Sequence, residues 1–316
     1  MYVYDRLSSR NINDQYLPLT LGRGRGANRV PSLSFLPEAM SGSYRGTIAH
    51  CSNGLILCCI GSENYSYIVC NPTTQKFTRI PKSSVASSGL KLFKEEPFLC
   101  FDPTKSPYYK IVVVTNAYAL NVSQLAIYTS ECASWKIVSL EARVMDYGRG
   151  ALWNGGIIWI DSRVVSRLDL NTEKLTVAQM AQDQNGLIGE LDYFGECGGH
   201  LLLIQLTPTH DAMEVRELEM DRDEFCLSVR YRVDLTSFIS PGQRSCIISL
   251  ITVVKGGKET DLAVVFHSRG KVFSCNLDCK TVKELCELCP SKISRIMRQV
   301  ELYRSSHQFI ESLSPV

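Results

Sequence analysis

The sequence predicts an all-β propeller assembled from four-stranded antiparallel blades. Three observations carry that expectation. Apolar residues fall in short runs, or alternate with polar ones, over about 4–8 residues, the pattern of strands, along nearly the whole chain. Gly, Asn, Asp, Ser and Pro punctuate the runs, as turns require. One hairpin plan, an apolar strand, a polar turn and a second strand, recurs five times. Its aligned positions Phe77, Trp135, Leu175, Phe225 and Val282 lie on average about 50 residues apart, the spacing of kelch-like blades.

Each hairpin has two more strand-like runs upstream. "GTIAHCSNG" and "LILCCIGS" precede "YIVCNPTTQKFTRIP". "PFLCFDP" and "YYKIVVVT" precede "LAIYTSECASWKIVSL". "GALWNGG" and "IIWIDS" precede "SRLDLNTEKLTVAQM". "DYFGECGG" and "HLLLIQL" precede "VRELEMDRDEFCLSVRYRVDL". "CIISLITVV" and "DLAVVFHS" precede "KVFSCNLDCKTVKELCEL". Four strands per unit, in five consecutive units, is the pattern of a propeller. In the first hairpin, Asn71 and Pro72 suit the first two positions of a type I turn, with Phe77 and Ile80 returning to the buried face.

Ring closure predicts a sixth blade built from both ends, with "SLSFLPE" near residues 32–38 beside "QFIESLSPV" at 308–316. Residues 1–44 then form an arm that is poorly structured or lends one closing strand, and 45–316 form the propeller. The segment "SKISRIMRQVELY", with Ile293, Ile296, Met297 and Val300 at helical spacing, is expected as a helix packed on the ring.

Composition narrows the function classes. Net charge is +2, which argues against nucleic acid or an anionic membrane as partner. The apolar runs are far shorter than the roughly 20 residues of a membrane span. "MYVYDRLSSRNINDQYL" lacks the pattern of a secretory signal, so the chain is expected in the cytoplasm, the nucleus or both. The 13 cysteines are odd in number and scattered, several of them in strand-like runs, so they read as small core residues rather than a disulfide framework.

The candidate chemical motifs are weak. "LGRGRGANR" has the glycines of a phosphate loop but no strand before it or helix after it. Cys275, Cys279, Cys286 and Cys289 include one metal-like spacing, but the hairpin pattern spreads them along its length, so no metal is expected. No hydrolase or zinc-protease motif accompanies the five histidines, and no catalytic residue or cofactor is assigned. Trp135, Trp153 and Trp159 are expected between blades.

With strands A to D running outward, A–B and C–D turns share one end of a blade, and B–C and D–A connections share the other. The C–D turns are short. The other end carries Gly61–Ser66, Lys82–Glu96, Asn116–Ser123, Glu141–Arg149, Gln182–Glu190 and Thr207–Ala212. Long loops on a rigid scaffold are the usual bearers of recognition. The expected partner contacts are Lys82, Leu90, Lys91, Phe93, Lys94, Tyr118, Asp146, Tyr147 and Arg149.

Taken in order, "SNGLILCC…YIVCNPTTQKFTRIP", "FDPTKSPYYKIVVV", "LAIYTSECASWKIV", "GALWNGGIIWID", "YFGECGGHLLLI" and "QFIESLSPV" resemble the plant F-box-associated, kelch-like domain, over residues 45–316. The resemblance implies a non-enzymatic substrate-recognition propeller, the receptor half of an SCF-type ubiquitin ligase. Family members reach the ligase through an N-terminal F-box that binds a Skp adaptor and cullin. No F-box-like segment stands in residues 1–45. A stand-alone interaction module, or a competitor of full-length relatives, is therefore the alternative, and a propeller enzyme is the second.

Overall fold

A computed structural model of the chain describes residues 2–6, 16–20, 33–36, 46–60, 66–82, 93–117, 122–140, 149–161, 164–180, 191–207, 209, 211–221, 224–238, 248–256, 261–268, 270–287 and 307–316. It is an all-β propeller of antiparallel four-stranded blades. The chain divides into two compact units, Met1–Asp146 with Arg304–Val316, and Tyr147–Tyr303.

The first unit opens with β1 (Tyr2–Arg6) and β2 (Tyr16–Thr20). Blade 1 follows as β3 (Gly46–Ser52), β4 (Leu55–Ile60), β5 (Ser66–Asn71) and β6 (Lys76–Ile80). Blade 2 is β7 (Phe93–Cys100), β8 (Lys110–Ala117), β9 (Val122–Thr129) and β10 (Ser134–Leu140). The second unit holds blade 3, β11 (Arg149–Trp153), β12 (Gly156–Asp161), β13 (Val164–Asp169) and β14 (Leu175–Gln179). Blade 4 is β15 (Tyr193–Cys197), β16 (His200–Leu206), β17 (Ala212–Asp221) and β18 (Glu224–Asp234). Blade 5 is β19 (Ser249–Lys255), β20 (Leu262–Ser268), β21 (Lys271–Asn276) and β22 (Val282–Glu287). The last strand, β23 (His307–Phe309), returns to the first unit. Every blade is a simple meander in chain order.

Alternation explains the unbroken apolar runs. In β4 the residues Leu55, Leu57 and Cys59 pack with blade 2 residues Leu99, Ile111, Val113 and Tyr128. The intervening Ile56 and Cys58 turn the other way, into a cluster with Leu33, Leu36 and Phe309. Strand β16 repeats the device. Leu201 and Leu203 join Ile158, Ile160 and Val165 of blade 3, while Leu202 and Ile204 join Val253, Val264 and Phe266 of blade 5. A strand covered on both faces shows no polar alternation. The fourth strands are the outer edges, and β14 and β22 have no buried residue, each position being exposed or half-buried.

Among the described residues five four-stranded blades form, not six. The two ends of the chain do meet, but in a three-stranded sheet ordered β2–β1–β23. Its contribution from the first residues is Tyr2–Arg6, not 32–38, with Tyr2 opposite Phe309 and Tyr4 opposite His307. Residues 33–36 make a turn instead, closed by the Leu36 N–H donating to the Leu33 carbonyl at 3.1 Å. Leu33 and Leu36, three apart, are both buried, whereas a strand would send them to opposite faces. The same parity corrects the reading of Phe77. Ile80 is buried, and Phe77, three positions earlier in β6, is 38% exposed. The expected helix over residues 291–303 and the segment Leu21–Arg29 lie outside the described residues.

Candidate functional site

Turn chemistry shapes the A–B and C–D ends of the blades. The A–B turns Asn53-Gly54, Asn154-Gly155 and Gly198-Gly199 all have positive φ at both positions. That is the two-residue turn whose twist matches a hairpin. The C–D turns of blades 1, 2, 3 and 5 end on the left-handed residues Gln75, Ala133, Glu173 and Lys280. In three of them the first residue is Asn71, Asp169 or Asn276, whose Oδ1 accepts two backbone N–H groups of the turn. These bonds hold the Asp169 carboxyl below the usual carboxylate range, the Thr172 N–H first among them.

Asn71 does more than close its turn. Its side chain is fully buried, and Nδ2 donates to the carbonyls of Ser312 and Ser314, at 2.9 and 2.8 Å. The stretch "NPTT" therefore carries a long-range contact that local sequence did not signal.

At the B–C and D–A ends, the expected partner residues fall as follows. Lys82 is exposed just beyond β6, next to Pro81, whose carbonyl accepts the Trp135 Nε1–H at 2.7 Å. Phe93 and Lys94 belong to β7, and Arg149 to β11. Leu90, Lys91, Tyr118, Asp146 and Tyr147 lie outside the described residues. The connection expected as Lys82–Glu96 is thus shorter, because β7 starts at Phe93, which pairs with Asn116. A bulge between Phe93 and Glu96 takes up the charged residues. Pro97 is tolerated because β7 is the edge of its sheet.

The titratable groups serve the framework. His200 Nδ1 lies 2.7 Å from Glu217 Oε1, and Arg230 Nε lies 2.5 Å from Glu217 Oε2. This row crosses β16, β17 and β18 and ties three strands of blade 4. Burial pushes the His50 imidazole down to about 4. The His50 ring packs on Phe98, with centroids 5.7 Å apart. His267 is lowered by burial too, and its Nε2 accepts the Gly270 N–H at 3.2 Å.

Burial raises the thiols of Cys275 and Cys286, while hydrogen bonds with Thr281 lower that of Cys279 at the turn. In the β21–β22 register Cys275 faces Val282 and Cys286 faces Val272, which sets them apart along the hairpin. Cys289 lies outside the described residues, and among those residues no three potential ligands converge on a metal site. The described cysteines are not joined in disulfides. Trp153 Nε1–H donates to the Gly199 carbonyl at 2.8 Å, so this indole links the A–B turns of blades 3 and 4. Among the described residues no helix is long and apolar enough to cross a membrane.

Four-stranded antiparallel meander blades in series define the β-propeller class. The chain belongs to the F-box associated beta propeller domain family, whose model matches residues 29–203, more than half of its length. It is similar to F-box protein At5g07610 of Arabidopsis thaliana, with 24% identity over 308 residues, covering 85% of this chain and 70% of the relative. Among solved structures, the Dos1 propeller aligns over 74% of this chain and 58% of its own, at 11% identity and a TM-score of 0.39. The extracellular domain of the hybrid two-component system BT4673 from B. thetaiotaomicron aligns over 77% of this chain and 28% of its own, at 9% identity and a TM-score of 0.41.

Proposed function

We propose that this chain is the client-recognition module of an SCF-type ubiquitin ligase receptor. Its family and its F-box relative suggest a protein-interaction module, and that similarity, extending over 85% of the chain, is the observation that carries the reading. Client contact centres on the D–A connection of the first unit, from Lys82 through Leu90 and Lys91 to Phe93 and Lys94, with Tyr118 and Asp146 beside it in sequence order. Tyr147 and Arg149 serve the second unit. Recognition there is non-enzymatic, in keeping with the family, and needs no cofactor. The cysteines of the described strands, outside any disulfide, suit the cytoplasm or nucleus proposed for the chain.

The test is affinity purification of the tagged chain from plant cells, read by mass spectrometry. A Skp adaptor and cullin recovered together with a client support the ligase reading. A client recovered without them makes the chain a stand-alone module or competitor. A chain that recovers neither contradicts both.

A further inference from the structure

After β23 the chain continues as an extended strap, residues 310–316, laid across blade 1 outside any strand. Exposure alternates along it. Ser312, Ser314 and Val316 are half-buried, while Glu311, Leu313 and Pro315 face outward, Leu313 at 83%. Buried Asn71 holds the two serine carbonyls, and Val316 packs on the apolar cluster between blades 1 and 2. Gly54 leaves the strap its room, since a Cβ there would stand 2.1 Å from Ser312 Cβ. The two serine hydroxyls lie 2.7 Å apart, and the Ser314 N–H donates to Ser312 Oγ at 3.1 Å.

Ser314 is followed by Pro315, the dipeptide on which proline-directed protein kinases act. We propose that Ser314 is a phosphorylation site and that its modification releases the strap from blade 1. The γ-phosphoryl group of ATP passes to Oγ. A new O–P bond forms, the β,γ-bridging P–O bond breaks, ADP leaves, and the hydroxyl proton goes to the kinase base.

The product adds about −1.5 to −2 charges and three acceptor oxygens. Acceptors already lie there: the Ser312 and Ser314 carbonyls, and Ser312 Oγ, which takes the Ser314 N–H. The donor at the dock, Asn71 Nδ2, is already engaged by both carbonyls. A doubly charged phosphate at this half-buried hydroxyl, 2.7 Å from Ser312 Oγ, loses solvation and outgrows the space between strap and blade, and the docked state weakens. Release uncovers Asn71 and the Asn53-Gly54 turn at the A–B/C–D end of blade 1. The inference stands apart from the client-recognition reading, which concerns the opposite end of the blades.

The test uses the full chain, a proline-directed kinase and ATP, with S314A and S314E alongside. Mass spectrometry locates the phosphate, and glutamyl endopeptidase reports docking through its cleavage rate after Glu311. The expected result is phosphate on Ser314, none on residues 312–316 of S314A, and cleavage faster by about fivefold, the factor carried by losing about one net hydrogen bond. S314E should cleave faster without kinase. A wild-type chain left unmodified at Ser314 overturns the proposal. So does cleavage at the unmodified rate in both the phosphorylated chain and S314E.

Discussion

Asn71 carries two jobs on one side chain. Its Oδ1 accepts turn N–H groups, and its Nδ2 holds carbonyls 241 and 243 positions away. The two jobs separate by substitution. Asn71→Asp keeps the acceptor but turns a carboxylate toward two carbonyls, so it should lower stability by about 2–4 kcal/mol in urea unfolding. Asp169→Asn, at the matching turn of blade 3, keeps the acceptor in a more exposed place and should stay within about 0.5 kcal/mol. The turn itself was legible from Asn-Pro-Thr-Thr, because turn propensity is local. The strap contact was not, because nothing near Asn71 encodes a partner so distant.

His50 supplies a pH dependence. Its folded pKa, about 4, lies below the ordinary 6.5. Between these values the unfolded chain binds more protons, so stability rises with pH across the window and is lost as pH falls through it. The effect is on the order of 3 kcal/mol at most. Urea titrations from pH 7 to pH 4 should show it, and His50→Gln should flatten the slope.

Among elements, position within a blade decides cost. Leu57, fully buried in β4, should lose about 2–5 kcal/mol on substitution by Ala. Val177, 48% exposed on β14, should lose about 0.5 kcal/mol or less. The inner strands were readable because their apolar runs are short and bounded by turn residues. The start of β7 was not, because "FKEE" carries charge and pairs only through a bulge. The short β23 was legible within "QFIESLSPV", but its partner β1 was not, since "YVYDR" has no hairpin turn directly after it. Deleting residues 305–316 removes β23 and the buried Phe309, and should abolish the soluble folded chain; a cooperative unfolding transition in that truncation would contradict this.

At the scale of the whole molecule, the repeat made the fold class readable before any coordinate. Five units of one grammar leave few alternatives to a propeller. The expected sixth blade fails because the terminal strands form a sheet of three, not four. The proposed recognition residues have the weakest signal in the sequence. Connections such as 83–92 have no period to read, and loops vary in sequence without changing the scaffold.

Recognition of a client protein by those connections is the proposal to be tested. Its most direct measurement is quantitative co-purification from plant cells of the wild-type chain beside a variant whose residues 83–92 are replaced by a Gly/Ser linker, both checked for the same unfolding midpoint. Partners captured by the wild type are expected to be lost or strongly depleted in the variant. A folded variant that retains every partner at wild-type level would contradict the proposal.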